Sequence, residues 1–112
     1  MAGAAVSFRG PDRYRVVTIC GSMRFKAEML EAADRLSRQG FIVLMPFCTF
    51  APEEQLTSHD KTMLDRMHFT KIDMSDSIYV VNVGGYVGNS TANELRYAEL
   101  SHKTVYYLEG PA

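Results

Sequence analysis

The sequence predicts a doubly wound α/β domain, with a parallel sheet covered by helices on both faces. Three observations predict it. Apolar runs alternate with stretches of helical period, in the order β-α-β-loop-α-β-α-β. The runs are continuously apolar or β-branched, as in Val16-Val17-Thr18-Ile19 and Phe41-Ile42-Val43-Leu44-Met45, which is how strands buried on both faces read. Glycines stand where a strand must turn into a helix, at Gly21 and at Gly84-Gly85. Alternation of this kind implies right-handed crossovers, and the expected sheet order is 2-1-3-4.

Each element has its own signal. Residues 1–13 lack a period and read as a flexible lead-in, leaving 14–112 as one domain. The first strand spans Tyr14 to Cys20 and is broken by Gly21-Ser22. A helix over about Arg24–Gln39 places Phe25, Met29, Ala32, Ala33 and Leu36 on one face, with Gly40 to end it. Phe41–Met45 is a second buried strand, stopped by Pro46. Residues 46–57 form a loop that is long for a compact domain. A second helix over Ser58–Met74 turns Leu64, Met67, His68 and Ile72 to the core. Ser77–Val83 is the third strand, a third helix runs from near Thr91 to about His102, and Thr104–Leu108 is the last strand. The methionines Met23, Met29, Met45, Met63, Met67 and Met74 read as core fillers.

Composition excludes several function classes. The 112 residues suit a single domain, and 12 basic against 13 acidic side chains give a net charge of −1. That balance lacks the basic footprint of a nucleic-acid polymer binder or of a polybasic membrane surface. No apolar run approaches the roughly 20 residues of a membrane span, and no signal-peptide pattern opens the chain, so a cytoplasmic protein is expected. Cys20 and Cys48 lack a C-x-x-C partner and read as reduced, mostly buried thiols. His59 and His102 complete no metal pattern, so neither a metal nor a cofactor is expected.

In a sheet of this order, ligands bind beyond the carboxyl ends of strands one and three. The loops there are Gly21-Ser22-Met23-Arg24 and Gly84-Gly85-Tyr86-Val87-Gly88-Asn89-Ser90-Thr91. Both lead into helix N-termini, where free N–H groups attract anions. The second loop is either such a site or a plain tight turn with a polar helix cap. Arg24 is badly placed for the helix dipole, a cost that a bound phosphate or carboxylate would offset. Glu94 has two meanings. Thr91-Ala92-Asn93-Glu94 is a capping-box pattern; alternatively, Glu94 is a carboxylate beside the ligand loop, able to attack an anomeric carbon. Asp65 and His68, one turn apart on the second helix, can share a side of the site, whereas Asp76 sits at the opposite edge and is structural. Tyr86, Tyr97, Tyr106 and Tyr107 can stack a nucleobase or simply serve the core.

Cys20-Gly21-Ser22-Met23-Arg24, the Asp76 before strand three, and Gly84 through Glu94 together resemble the nucleoside 2-deoxyribosyltransferase superfamily, which includes the 2'-deoxynucleoside 5'-monophosphate N-glycosidases. The resemblance covers most of residues 15–108 and points to a short branch of that superfamily. It implies a flavodoxin-like, three-layer α/β/α fold with a parallel sheet of four to five strands. It further implies cleavage or transfer at an N-glycosidic bond, with Glu94 as nucleophile and Gly21–Arg24 lining the sugar or 5'-phosphate pocket. A homodimer or larger assembly is also implied. The chain departs from the family pattern at three positions. His68 stands where the glycosidases carry an aspartate, Thr18 where they carry a tyrosine, and Gly88 where they carry a hydroxyl or carboxylate residue.

The expectation is therefore an enzyme of the N-glycosidase or deoxyribosyltransferase type acting on a nucleoside or nucleoside 5'-monophosphate. Glu94 attacks C1', and His68 or Asp65 protonates the leaving base or manages water. A non-catalytic module that senses a nucleotide-like ligand is the alternative, and an oligomer in which Glu94 only caps a helix is a third.

Overall fold

The computed structural model describes residues 13–48 and 55–110. Most of the lead-in, and residues 49–54 of the long loop, lie outside the described residues. The elements are β1 (Val16–Gly21), α1 (Lys26–Arg38), β2 (Ile42–Leu44), α2 (Ser58–Asp73), β3 (Ser77–Val81), α3 (Asn89–Leu100) and β4 (Thr104–Tyr107). The four strands form one parallel sheet in the order β2-β1-β3-β4, a flavodoxin-like arrangement. Among the described residues no helix is long and apolar enough to cross a membrane.

Alternation along β1 and β3 sorts the core into two layers. Val17, Ile19, Tyr79 and Val81 face one way and pack on Met29, Ala32 and Leu36 of α1. Cys20, Ile78 and Val80 face the other way, onto Ile72 of α2 and Ala98 of α3. Ile19, Met29, Ile72 and Ile78 are fully buried, and burial of such a side chain stabilises by about 1.5–3 kcal/mol.

β2 corrects an expectation. It is a three-residue strand, not a five-residue buried one, and Ile42 is 49% exposed. The cause is position: β2 pairs only with β1, at the edge of the sheet among the described residues. The methionines also differ from expectation. Met29 is fully buried, but Met23, Met63, Met67 and Met74 are exposed.

Helix ends decide what reaches the ligand edge. α2 begins with a formed capping box: the Thr57 hydroxyl accepts from the Asp60 N–H at 3.0 Å, and the Asp60 carboxylate accepts from the Thr57 N–H at 3.1 Å. At the opposite edge, Asp76 accepts from the Val16 N–H at 2.8 Å and from both terminal nitrogens of Arg13 at 2.6 and 3.2 Å. These donors hold its carboxyl down at about 2. Asp76 is thus the structural residue its position predicted.

Candidate functional site

The loops after β1 and β3 enclose a pocket of about 710 Å³ at the carboxyl edge of the sheet. Its walls are Gly21, Ser22, Met23 and Arg24 from the first loop, and Gly88, Asn89, Ser90, Thr91 and Glu94 from the start of α3. Lys61, Leu64, Asp65 and His68 of α2 form a third wall, and Pro46, Phe47 and Leu56 of the loop after β2 complete it. This is the switch point where the chain leaves the sheet in opposite directions, the usual ligand position in such folds.

Local sequence explains each wall. A Cβ on Gly21 would stand 3.2 Å from the Val81 carbonyl oxygen and 3.3 Å from the Val81 Cβ, so a side chain there would crowd the close approach of β1 and β3. Ser22 caps the following 3-10 turn by accepting from the Arg24 N–H. That turn lays the Arg24 guanidinium over the Tyr86 ring, 4.2 Å from its centroid. α3 starts at Asn89 with Gly88 as its N-cap and no side-chain cap, so its first N–H groups stand at the pocket wall.

The glycine-rich segment divides in two. Gly84 and Gly85 hold φ of +64° and +81°, and the Gly84 N–H donates to the Glu109 carboxylate. These two residues build a turn tied to the end of β4 and do not line the pocket. Gly88 through Thr91 do line it. Tyr86 lies outside the pocket walls, 42% exposed, edge-on to Phe25 and under Arg24. Tyr97, Tyr106 and Tyr107 also stand elsewhere: Tyr97 against Phe69 and Asp73, Tyr106 against Phe41, and Tyr107 on the core. The pocket's aromatic is Phe47.

Glu94 does not cap its helix. Because α3 begins three residues earlier than the capping-box pattern places it, Thr91 is buried inside the first turn and Glu94 falls in the second. Its side chain, 15% exposed, reaches the pocket floor with Oε1 3.5 Å from His68 Nε2. The same Nε2 lies 3.5 Å from Cys20 Sγ. Burial pushes the Glu94 carboxyl up to about 7, with the charge of Asp65 adding to the shift and the Cys20 thiol opposing it. Burial, and then the charge of Lys71, pushes His68 down to about 4. Burial raises the Cys20 thiol well above its usual range, reinforced by Glu94. The distance between His68 and Glu94 would suit an ion pair, but both shifts oppose one. Near neutrality the imidazole is uncharged and the carboxyl is partly protonated. His68 Nδ1 is buried without a partner among the described residues.

The three side chains come from three elements, β1, α2 and α3, and their donor atoms lie within 4.8 Å of one another. Among the described residues this is the cluster able to hold a metal ion. Spacing rules could not show it, because its members are 48 and 26 residues apart (68 minus 20, and 94 minus 68). Sequence reasoning also passed over Cys20, Phe47 and Lys61 as site residues. For Cys20 a signal existed: it ends the first strand, on the face opposite Ile19, directly before the glycine turn.

Comparisons with protein families, with curated proteins and with solved structures find no match to this chain.

Proposed function

We propose that the protein cleaves, or transfers across, the N-glycosidic bond of a nucleoside or nucleoside 5'-monophosphate, with Glu94 as nucleophile. One observation carries the proposal. Glu94 is freed from helix capping and held at the floor of a pocket of about 710 Å³, beside His68 and on the same wall system as Asp65. The pocket volume lies within the range of small-molecule sites.

The reaction needs the ionised carboxylate. Glu94 attacks C1', the bond from C1' to the base nitrogen breaks, and its electron pair leaves with the base. Asp65 borders the pocket and relays to that base a proton drawn from solvent. The product of this step is an ester between Glu94 and the sugar. Water, or the nitrogen of a second base, then attacks C1' and releases the carboxylate. His68 is uncharged at neutral pH, which suits it to accept a proton from that water rather than to act as the acid of the first step. Arg24 and the uncapped start of α3 supply the pocket's anion-attracting groups, fitting a 5'-phosphate.

The test is release of free base from a panel of nucleosides and 5'-monophosphates. Wild type releases base from at least one of them and Glu94→Gln, still folded, from none. Equal release by the two proteins refutes the role of Glu94; no release by either, with ligand binding retained, refutes catalysis in favour of a binding module.

A further inference from the structure

We propose that Cys20, His68 and Glu94 form a three-ligand site for a zinc-class divalent cation, with the fourth coordination position open to the pocket. This goes beyond the glycosidase proposal and does not rest on it.

The geometry fits. Tetrahedral zinc with bonds of about 2.3 Å to sulfur and about 2.0–2.1 Å to nitrogen and oxygen spaces its ligands by about 3.5 Å (S to N) and about 3.3 Å (N to O). The corresponding separations here are 3.5 Å and 3.5 Å. The remaining pair, thiol and carboxylate, lies within 4.8 Å. One imidazole nitrogen faces both other donors, as a shared metal requires.

The chemistry also fits. Thiolate and carboxylate together carry two negative charges, which cancel a divalent cation in a place where an unpaired charge is costly. Cys20 and His68 are buried, so the donors are held by packing and not by solvent. His68 Nδ1 has neither a donor nor an acceptor beside it among the described residues, so carrying the ring proton there leaves the Nε2 lone pair for the metal at the cost of an unpaired buried N–H. Asp65 adds negative charge nearby and Lys71 opposes it. His68 and Glu94 also border the pocket, which leaves the cation's last position facing a small molecule or water, as in catalytic and not structural zinc sites. Binding displaces the thiol proton, and the Glu94 proton where present, to solvent. It also occupies the Glu94 carboxylate, so the metal-loaded form cannot carry out nucleophilic attack through that group.

Cobalt(II) titration of the chelator-treated protein tests this without any substrate. Wild type should bind one equivalent, with a thiolate-to-cobalt band in the near ultraviolet and the strong visible bands of four-coordinate cobalt. Cys20→Ser should lose the near-ultraviolet band, and Cys48→Ser should keep it. Glu94→Gln should keep the band and bind at least about 10-fold more weakly, the lower bound seen even for outer-shell changes. If Cys20→Ser does not fold, His68→Gln replaces it, again with at least about 10-fold weaker binding. Absence of a thiolate band in wild type overturns the proposal. So does a band that survives Cys20→Ser but not Cys48→Ser, or an affinity unchanged in His68→Gln. Base release by the chelator-treated protein is read separately, so failure of one proposal leaves the other standing.

Discussion

His68 Nε2 lies 3.5 Å from Glu94 Oε1, yet burial moves the two groups in opposite directions, the imidazole down to about 4 and the carboxyl up to about 7. Each is held uncharged over part of the range where the unfolded chain would charge it. Between pH 4.5 and 6.5, the ordinary values of the two groups, folding has Glu94 keep a proton and His68 give one up. The two contributions to the pH dependence of stability cancel there.

Single substitutions should therefore uncover slopes that wild type hides. Relative to metal-free wild type, Glu94→Gln gains stability as pH rises from 4.5 to 7, because the buried carboxyl no longer has to ionise. His68→Gln gains relative stability as pH falls from 6.5 to 4, because the buried imidazole no longer has to accept a proton. The full slope is about 1.4 kcal/mol per pH unit in each case. The groups facing the pair, Cys20 of β1 and Asp65 and Lys71 of α2, are retained in both variants. Urea unfolding across the pH range measures this, and curves parallel to wild type would contradict it.

Arg24→Ala should remove preference for a 5'-phosphate. Arg24 lines the pocket beside the uncapped start of α3 and rests on Tyr86 without a carboxylate partner among the described ion pairs. Nucleoside 5'-monophosphates should raise the wild-type melting temperature more than the matching nucleosides do, and the variant should lose that difference. Equal shifts for nucleotide and nucleoside in wild type would remove the phosphate from the account.

Gly21→Ala should destabilise the fold by about 1–3 kcal/mol, the usual cost of overpacking. The added methyl would meet backbone and Cβ of Val81 at 3.2 and 3.3 Å, and Met29 Sδ at 3.4 Å. Thermal unfolding reads it, and an unchanged melting temperature would show that β1 and β3 separate more easily than their contacts imply.

Asp76→Ala should leave the partly buried Val16 N–H unpaired, which costs about 1–3 kcal/mol. The carboxyl is held below its ordinary value of 3.8, so its contribution is present above that pH and lost as pH falls towards 2. The variant should accordingly lose part of wild type's acid sensitivity between pH 4 and 2. An acid unfolding curve equal in shape to wild type's would contradict the assignment.

The architecture was legible because it depends on local signals. The β-branched run at Val16–Ile19, the glycine after it and the helical period from Phe25 to Leu36 each act within a few residues, and helices on both faces of a parallel sheet require the strand order to reverse once. What depends on neighbours in space was not legible. Ile42 reads as a core residue until the sheet shows β2 at its edge. Thr91–Glu94 reads as a capping box, but the helix begins at Asn89 and turns Glu94 inward, while the box that forms is Thr57–Asp60. Gly84-Gly85 and Gly88-Asn89 look like one loop in sequence. Positive φ and the contact to Glu109 assign the first pair to a turn, and the pocket takes only the second. Cys20 joins His68 and Glu94 only through the packing of three elements.

The most direct test of the central claim, that Glu94 is the nucleophile, is mass spectrometry of chelator-treated protein. The protein is quenched during turnover of a substrate whose 2'-fluoro group slows release of the sugar from the enzyme. The account predicts an adduct of one pentosyl unit, carrying the 5'-phosphate if the substrate does, mapped to Glu94 and absent from Glu94→Gln. An adduct on Asp65, or base release with no adduct on Glu94, would contradict it.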